Sequence, residues 1–295
     1  MLLFVVCCVQ KKNGKGKKHS RAPHFLSCTS THIFLTQTNK HTHTHTRLLI
    51  RTMEVTGKKI VVLCGGSNGN HVLTADLGRR EDYVVRLITR NPEKWRSAVH
   101  CREQKFFTDA YPMPPAPTWW INYSGAADEV YGWDEAAKAL SGAHFVILVC
   151  PVSIHETILT DLFANLPAHP IMIGTAYGQG GFDWLARKLL KGNPRASLVT
   201  LFAMKHYPFL CKAASYGKQV NLFGRYPDLR CAVSPFTKRN TEAVKFFLDD
   251  IFQKSITIVT DFIVPTLGAT NQVIFIHHNK DHKEKREGAG ARARV

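Results

Sequence analysis

Hydrophobic and polar positions settle into a regular alternation at residue 59 and keep it for about two hundred residues. Residues 59–63 (KIVVL) form a short continuous β-branched run, and a glycine-rich turn follows at 65–69. A helical stretch begins near Asn70, with Leu73 and Leu77 four apart on one face. Tyr83–Ile88 reads as a second strand, after which Asn91 and Pro92 form a cap with proline at the first helical position. Residues 110–125 carry four prolines and predict a loop or edge excursion. The rhythm then resumes with a helix at 134–140, a buried strand at 144–149 ending in Cys150-Pro151, and a helix at 153–162. Ile171–Thr175 is a strand, Phe182–Leu190 an amphipathic helix, and 198–203 another strand. Strands at 219–223, 231–233 and 255–259 and a helix at 241–252 complete the pattern. Strands alternating with helices at this spacing predict an α/β domain: a doubly wound, parallel sheet covered on both faces.

Charge changes the picture at the two ends. The chain carries 39 Lys+Arg against 22 Asp+Glu, a formal +17. Residues 1–52 hold nine of those bases and no acid, and 279–295 hold six against three. Subtracting nine and three leaves +5 for 53–278, an ordinary surface, so no nucleic-acid partner is expected. No run approaches the eighteen or so apolar residues of a spanning helix, so no membrane partner is expected. The opening MLLFVVCCV precedes Lys11 and Lys12, the reverse of a secretory signal, whereas a mitochondrial transit peptide stays open. The alternating His-Thr repeat from His41 to Thr46 is a poor preorganised metal site, and no metal is expected. These features divide the chain into a basic low-complexity leader at 1–52, a folded domain at 53–274 that starts naturally at Met53, and an aberrant disordered tail at 275–295. Eight cysteines without any C-x-x-C fit free thiols in a reducing compartment, hence a cytoplasmic location.

The turn after the first strand is the candidate site: Gly65, Gly66, Ser67, Asn68, Gly69 and Asn70. A strand, a glycine-rich turn and a helix N-terminus together cradle a pyrophosphate, through unpaired N–H groups and close backbone approach. Against G-x-G-x-x-G, Gly65 matches, while Ser67 and Asn70 stand at the second and third glycine positions. The same residues also spell G-x-S-x-G, the nucleophile elbow of α/β-hydrolases, with Ser67 as nucleophile. At the end of the second strand stand Thr89, Arg90 and Asn91, where an acid would accept the ribose hydroxyls of NAD. Arginine without an acid favours NADP over NAD.

Several segments together resemble the opine dehydrogenases: KIVVLCGGSNGNHVL at 59–73, HFVILVCPVSIHE at 144–156, and IGTAYGQGGF at 173–182. Residues 208–212, Gly217-Lys218, 222–224 and 271–274 extend the resemblance over the whole Rossmann-like nucleotide domain. It implies reductive condensation of an amino acid with a 2-oxo acid at the expense of NAD(P)H. It implies that Pro151 and Val152 line the nicotinamide, that Gln179 holds the oxo-acid carboxylate, and that His155 and Asn271 belong to the substrate site. By itself His155 also fits a structural or capping role. Where arginine-using members carry a glutamate, this chain has Lys205 ahead of Tyr207-Pro208-Phe209, a cation that repels a guanidinium or, if the loop has drifted, faces solvent. Trp119 and Trp120 are expected to pack a loop.

The resemblance also predicts an absence. Four residues after Asn271 the family places a proton-transferring histidine followed by proline, leading into a helical second domain; here Phe275 stands instead. The residues beyond it are too polar to pack as such a domain, so that domain is expected to be missing and the polypeptide to bind nucleotide without turning over. Two-domain reductases of the glycerol-3-phosphate dehydrogenase or ketopantoate reductase type, and a non-catalytic nucleotide-binding remnant, remain alternatives.

Overall fold

Strand β1 (Lys59–Cys64) sets the architecture, because its side chains go alternately to two separate cores. Val61 and Leu63 enter one core, and Val62 and Cys64 the other. The computed structural model describes residues 57–106 and 118–267. The expectations placed on 1–52, Asn271, Phe275 and the tail lie outside the described residues. After β1 come α1 (Asn68–Leu77), β2 (Tyr83–Ile88) and a one-turn 3-10 helix Pro92–Trp95. Strands β3 (Val99–Phe106), β4 (Thr118–Gly125) and β5 (Glu129–Tyr131) precede α2 (Ala136–Leu140) and β6 (Phe145–Leu148). Then follow α3 (His155–Ala164), β7 (Ile171–Thr175), α4 (Phe182–Leu190) and β8 (Val199–Met204). A hairpin of β9 (Phe209–Ser215) and β10 (Gln219–Arg225) leads to β11 (Arg230–Ser234), α5 (Lys238–Phe252), β12 (Thr257–Val259) and α6 (Ile263–Leu267).

The large sheet has the order β12-β11-β8-β7-β6-β1-β2-β5. From β5 to β8 every pairing is parallel, and β11 alone joins its neighbour β8 antiparallel. Leu73 and Leu77 of α1 and Phe247 and Leu248 of α5 cover one face, in the core with Val61 and Leu63. Leu140 of α2, Leu159 and Leu162 of α3, and Phe182 and Ala186 of α4 cover the other. The fold is therefore the expected doubly wound α/β sheet. Of the described residues, no helix is long and apolar enough to cross a membrane.

Two expectations need correction. Residues 110–125 are not one irregular excursion: from Thr118 onward they form β4, paired with β3 over eight residues. All four prolines precede Thr118, and the remainder, TWWINYSG, is β-branched and aromatic, which suits a strand. Trp119 and Trp120 consequently lie on a strand, with the Trp120 ring edge-on to Phe223 at 6.1 Å. The second correction is the additional four-stranded sheet itself, order β4-β3-β10-β9, in which β3 and β10 are parallel neighbours. It packs on α1, so that helix lies between two sheets and every residue from Gly69 to Leu77 is buried. Arg225 of β10 fastens the layers. Its guanidinium bonds Asp76 of α1 at 2.8 and 3.2 Å, Glu103 of β3 at 3.0 and 3.1 Å, and the Tyr123 hydroxyl of β4 at 3.0 Å.

Candidate functional site

The strand order reverses its direction of growth between β1 and β6. From β1 the chain passes through α1 on one face to β2, and from β6 through α3 on the other face to β7. Helices leaving in opposite directions open a crevice at the carboxyl ends of these two strands, the place where open α/β sheets bind ligands. Gly65 sits in it with φ +108°, a conformation that excludes an ordinary side chain. A Cβ there would also meet Cys150 Cβ and the Val149 carbonyl oxygen, each at 3.1 Å. Asn70 occupies the third glycine position of the motif for a visible reason. Its buried amide donates to the Gly65 carbonyl at 2.7 Å and closes the turn from inside.

Ser67 is the N-cap of α1, in extended conformation, and the helix starts at Asn68, two residues earlier than the pattern suggested. The Ser67 carbonyl accepts from the Asn70 amide at 3.1 Å and from His71 Nδ1 at 2.8 Å. His71 Nε2 in turn accepts from the Gly217 amide at 2.7 Å, which fixes the imidazole as its neutral Nδ1–H tautomer. Burial pushes the His71 pKa down, and its bond to the Ser67 carbonyl offsets this in part. The ring rests on Trp95, centroids 4.2 Å apart. Asn68 reaches the other way, its Oδ1 accepting from the Ala213 amide of β9 at 3.0 Å.

These bonds decide against the hydrolase alternative. A nucleophile elbow presents its hydroxyl to solvent beside a base. Here Ser67 Oγ is buried beside the Tyr207 hydroxyl, and both nitrogens of the neighbouring His71 are already committed.

The remaining sequence-derived residues fall into two groups. Pro151, exposed, and Val152, half-buried, follow β6 at the crevice. Gln179, also half-buried, lies in the loop between β7 and α4. That loop touches Val152, because a Cβ on Gly180 would lie 2.5 Å from Val152 Cγ1. The fold thus brings Gln179 to the neighbourhood of Val152. Arg90 is exposed just past β2, at the same edge of the sheet. His155 is placed differently: it is fully buried, edge-on to Phe182 at 5.7 Å, with its pKa lowered chiefly by burial. Its ring packs the interior and offers no surface to a substrate. Lys205, half-buried, follows β8, its amide bonded to the Arg230 carbonyl at 2.8 Å. Among the described residues no group of three or more His, Cys, Asp or Glu could hold a metal ion.

Sequence reasoning missed two tyrosines that lie on the turn. The Tyr207 hydroxyl sits 2.1 Å from where a Cβ on Gly69 would be, and the Tyr216 hydroxyl 2.1 Å from the same point on Gly66. Neither side chain could approach so far if a residue larger than glycine stood there. The visible signal was the pair of unexplained glycines inside an imperfect motif.

No protein-family model matches the chain. The opine dehydrogenase of Haliotis discus hannai is 24% identical over 169 residues, which are 56% of this chain and 40% of that protein. The octopine dehydrogenase of Pecten maximus is 24% identical over 190 residues, 62% of this chain and 44% of that one. Over these stretches the chain is similar to opine and octopine dehydrogenases, and it spans less than half the length of these curated relatives. The solved structure of an octopine dehydrogenase with NADH and L-arginine superposes with a TM-score of 0.59 at 19% identity, covering 70% of this chain and 50% of its own. A yersinopine dehydrogenase bound to NADP+ superposes with a TM-score of 0.52 at 13% identity, covering 70% and 48%. At such identities these structures establish the common fold.

Proposed function

We propose that this opine dehydrogenase-like domain binds a nicotinamide dinucleotide along the carboxyl edge of its large sheet. The observation that carries the reading is the coincidence of the strand-order reversal with Gly65, held at φ +108° against the end of β6. The residues present fit such a group. The turn 65–70 offers a glycine backbone and the N-terminus of α1 to a pyrophosphate, and Pro151 and Val152 offer an apolar wall to the nicotinamide. The bound dinucleotide supplies hydride chemistry.

The substrate reading is an imine formed from an amino acid and a 2-oxo acid. It is supported by the relatives' names and by Gln179, whose amide can donate to a carboxylate beside Val152 without adding charge. Lys205 disfavours a guanidinium-bearing amino donor if it faces that site. NADP is favoured over NAD because Arg90, Asn91 and the buried Thr89 follow β2 without an acid among them. Phe275 stands where the resemblance places the proton-transfer histidine, and an aromatic hydrocarbon cannot move a proton. Loss of general acid–base catalysis removes about 10²–10⁴-fold in rate, so we expect nucleotide binding without opine synthesis.

Calorimetry with NADPH and NADH tests the reading. Binding of NADPH more tightly than NADH is expected, and equal or tighter binding of NADH overturns the preference. NADPH oxidation above a no-enzyme control, with amino acids and pyruvate present, would overturn the expected inactivity.

A further inference from the structure

A strand at the edge of a sheet offers a row of unpaired N–H and C=O groups, and proteins blunt such edges with short strands, lysine, proline, bulges or a covering group. The two sheets of this fold have four edges, and three of them carry such a device. In the large sheet the edge strands β5 and β12 are only three residues each. In the small sheet β9 is capped by Asn68, whose Oδ1 takes the Ala213 amide at 3.0 Å. Strand β9 also carries Lys212 and meets β10 with two register shifts. Strand β4 is the fourth edge, and among the described residues it has none of these devices. Its eight residues pair with β3 in one unbroken register. The sequence TWWINYSG holds no charge and no proline.

The same strand has the composition of an interface. Trp119 and Ile121 are 42% and 41% exposed. Side chains alternate along a strand, so Trp119 and Ile121 share a face with Tyr123, which packs toward α1. A second copy can lie antiparallel against this edge, related by a two-fold axis perpendicular to the sheet and passing beside Ile121. Each face then continues into the same face of the other copy. Ile121 stands opposite Ile121 of the second copy, Trp119 opposite its Tyr123, and Trp120 opposite its Asn122. Directly opposed aromatic and β-branched pairs are the contacts that stabilise a sheet. Moving the axis to Asn122 would set Trp119 against Gly125, and moving it to Trp120 would shorten the paired stretch to 118–122. No like charges meet, because the strand has none. Two arginines stack beside the seam, Arg79 on Tyr123 at 4.4 Å and Arg102 on Trp120 at 5.1 Å. In the paired sheet each falls about 14 Å from its own copy, by four residues along the seam or three strand spacings across it. Salt screens charges at that separation.

We propose that the outer edge of β4 is a dimer interface, at which a second copy of this chain adds its own β4 antiparallel with Ile121 on the two-fold axis. The two small sheets become one continuous sheet. Such an interface is isologous and closed, which limits the assembly to two copies. Backbone hydrogen bonds supply the affinity, and Trp119, Ile121 and Tyr123 set the register. The proposal is independent of the dinucleotide reading, since the crevice at Gly65 belongs to the large sheet.

Sedimentation velocity of the full chain, from about 1 to 100 µM, tests it. A monomer–dimer equilibrium is expected. Ile121→Lys and Ile121→Glu each set like charges face to face on the axis, and each should weaken dimerisation about tenfold or more. Mixed in equal amounts, the two variants should dimerise again, because opposite charges then meet. Thermal melts establish that each variant is folded; if one is not, the other alone decides. A monomer at every concentration, a dimer unmoved by either substitution, or assembly beyond two copies overturns the proposal. Variants that weaken the dimer but stay monomeric when mixed overturn the register with Ile121 on the axis.

Discussion

Replacing Arg225 by methionine removes the one cation that faces both Asp76 and Glu103. Their side chains are 10% and 7% exposed, and without the guanidinium two buried carboxylates confront each other. Breaking a buried ion pair by deleting one partner costs about 3–5 kcal/mol, since the partner stays charged and desolvated. Two features moderate the cost here. The Arg225 side chain is 31% exposed, so water enters when it is shortened, and Lys105 remains paired with Glu103. About 2–3 kcal/mol is therefore expected. At roughly 2–4 °C per kcal/mol for a domain of this size, Tm should fall by about 4–12 °C. The pH dependence supplies a second check. For Glu103 burial pushes the pKa up, but the bonds from Arg225 and Lys105 outweigh it and leave it below 4.5. This carboxylate therefore stabilises the native fold above its ordinary pKa, and that stability is lost as pH falls through the lower folded value. With Arg225 gone, burial regains weight, the carboxyl protonates at higher pH, and acid relieves the variant. Circular-dichroism melts at pH 7.5 and pH 5 should show the gap between the two proteins narrowing at the lower pH. A Tm change under about 2 °C, or a gap that widens in acid, refutes the argument.

Gly65→Ala forces a side chain into a left-handed position 3.1 Å from Val149 O and Cys150 Cβ. It should cost about 1–3 kcal/mol and abolish NADPH binding; retained affinity would show that the turn does not hold the nucleotide. Burial pushes the pKa values of His71, His144 and His155 below 6.5. Folded values below unfolded ones mean that their contribution is complete above pH 6.5 and lost as pH falls through the folded values, so Tm should decline between pH 7 and 5. A flat profile there would contradict the neutral state of these rings. Finally, a fluorophosphonate probe should leave Ser67 unlabelled, because its hydroxyl is buried; covalent labelling at Ser67 would restore the hydrolase alternative.

The large sheet was legible because its central strands carry short runs, such as 61–64 and Ile171–Thr175, that are buried on both faces, and Tyr83–Ile88 departs from an apolar run only at Arg86. The small sheet was not, for the opposite reason. In β9 the burial alternates irregularly, from buried Phe209 to exposed Ser215, and β3 reads VHCREQKF, with scattered polar residues. These strands bury only Val99, Cys101, Phe209, Val220 and Leu222 into the core that covers α1, so each carries a short period-2 signal, and only 219–223 was long enough to read as a strand. The proline run at 112–117 further masked β4. At the site, the turn was visible as a motif, but what sits on it was not. Tyr207 and Tyr216 are brought to Gly69 and Gly66 from well over a hundred residues away by the hairpin, a contact no local pattern encodes.

The same hairpin makes stability and binding one problem. Asn68 on Ala213 and His71 on Gly217 tie the phosphate turn to β9 and to the hairpin tip, while Arg225 at the far end of β10 ties that hairpin to Asp76, the penultimate residue of α1. Helix α1 is thus clamped to the small sheet at both ends, and the glycine turn is carried on the N-terminal end. Loosening the Arg225 clamp should not act on stability alone. The contacts at Asn68 and His71 hold the turn end of α1, and Arg225 holds its other end, so Arg225→Met lets the helix tilt against the small sheet and shifts the turn that it carries. The variant should then bind NADPH more weakly than the unaltered protein even when measured well below its melting temperature. Unchanged affinity in a folded variant would show that the turn is positioned without this clamp.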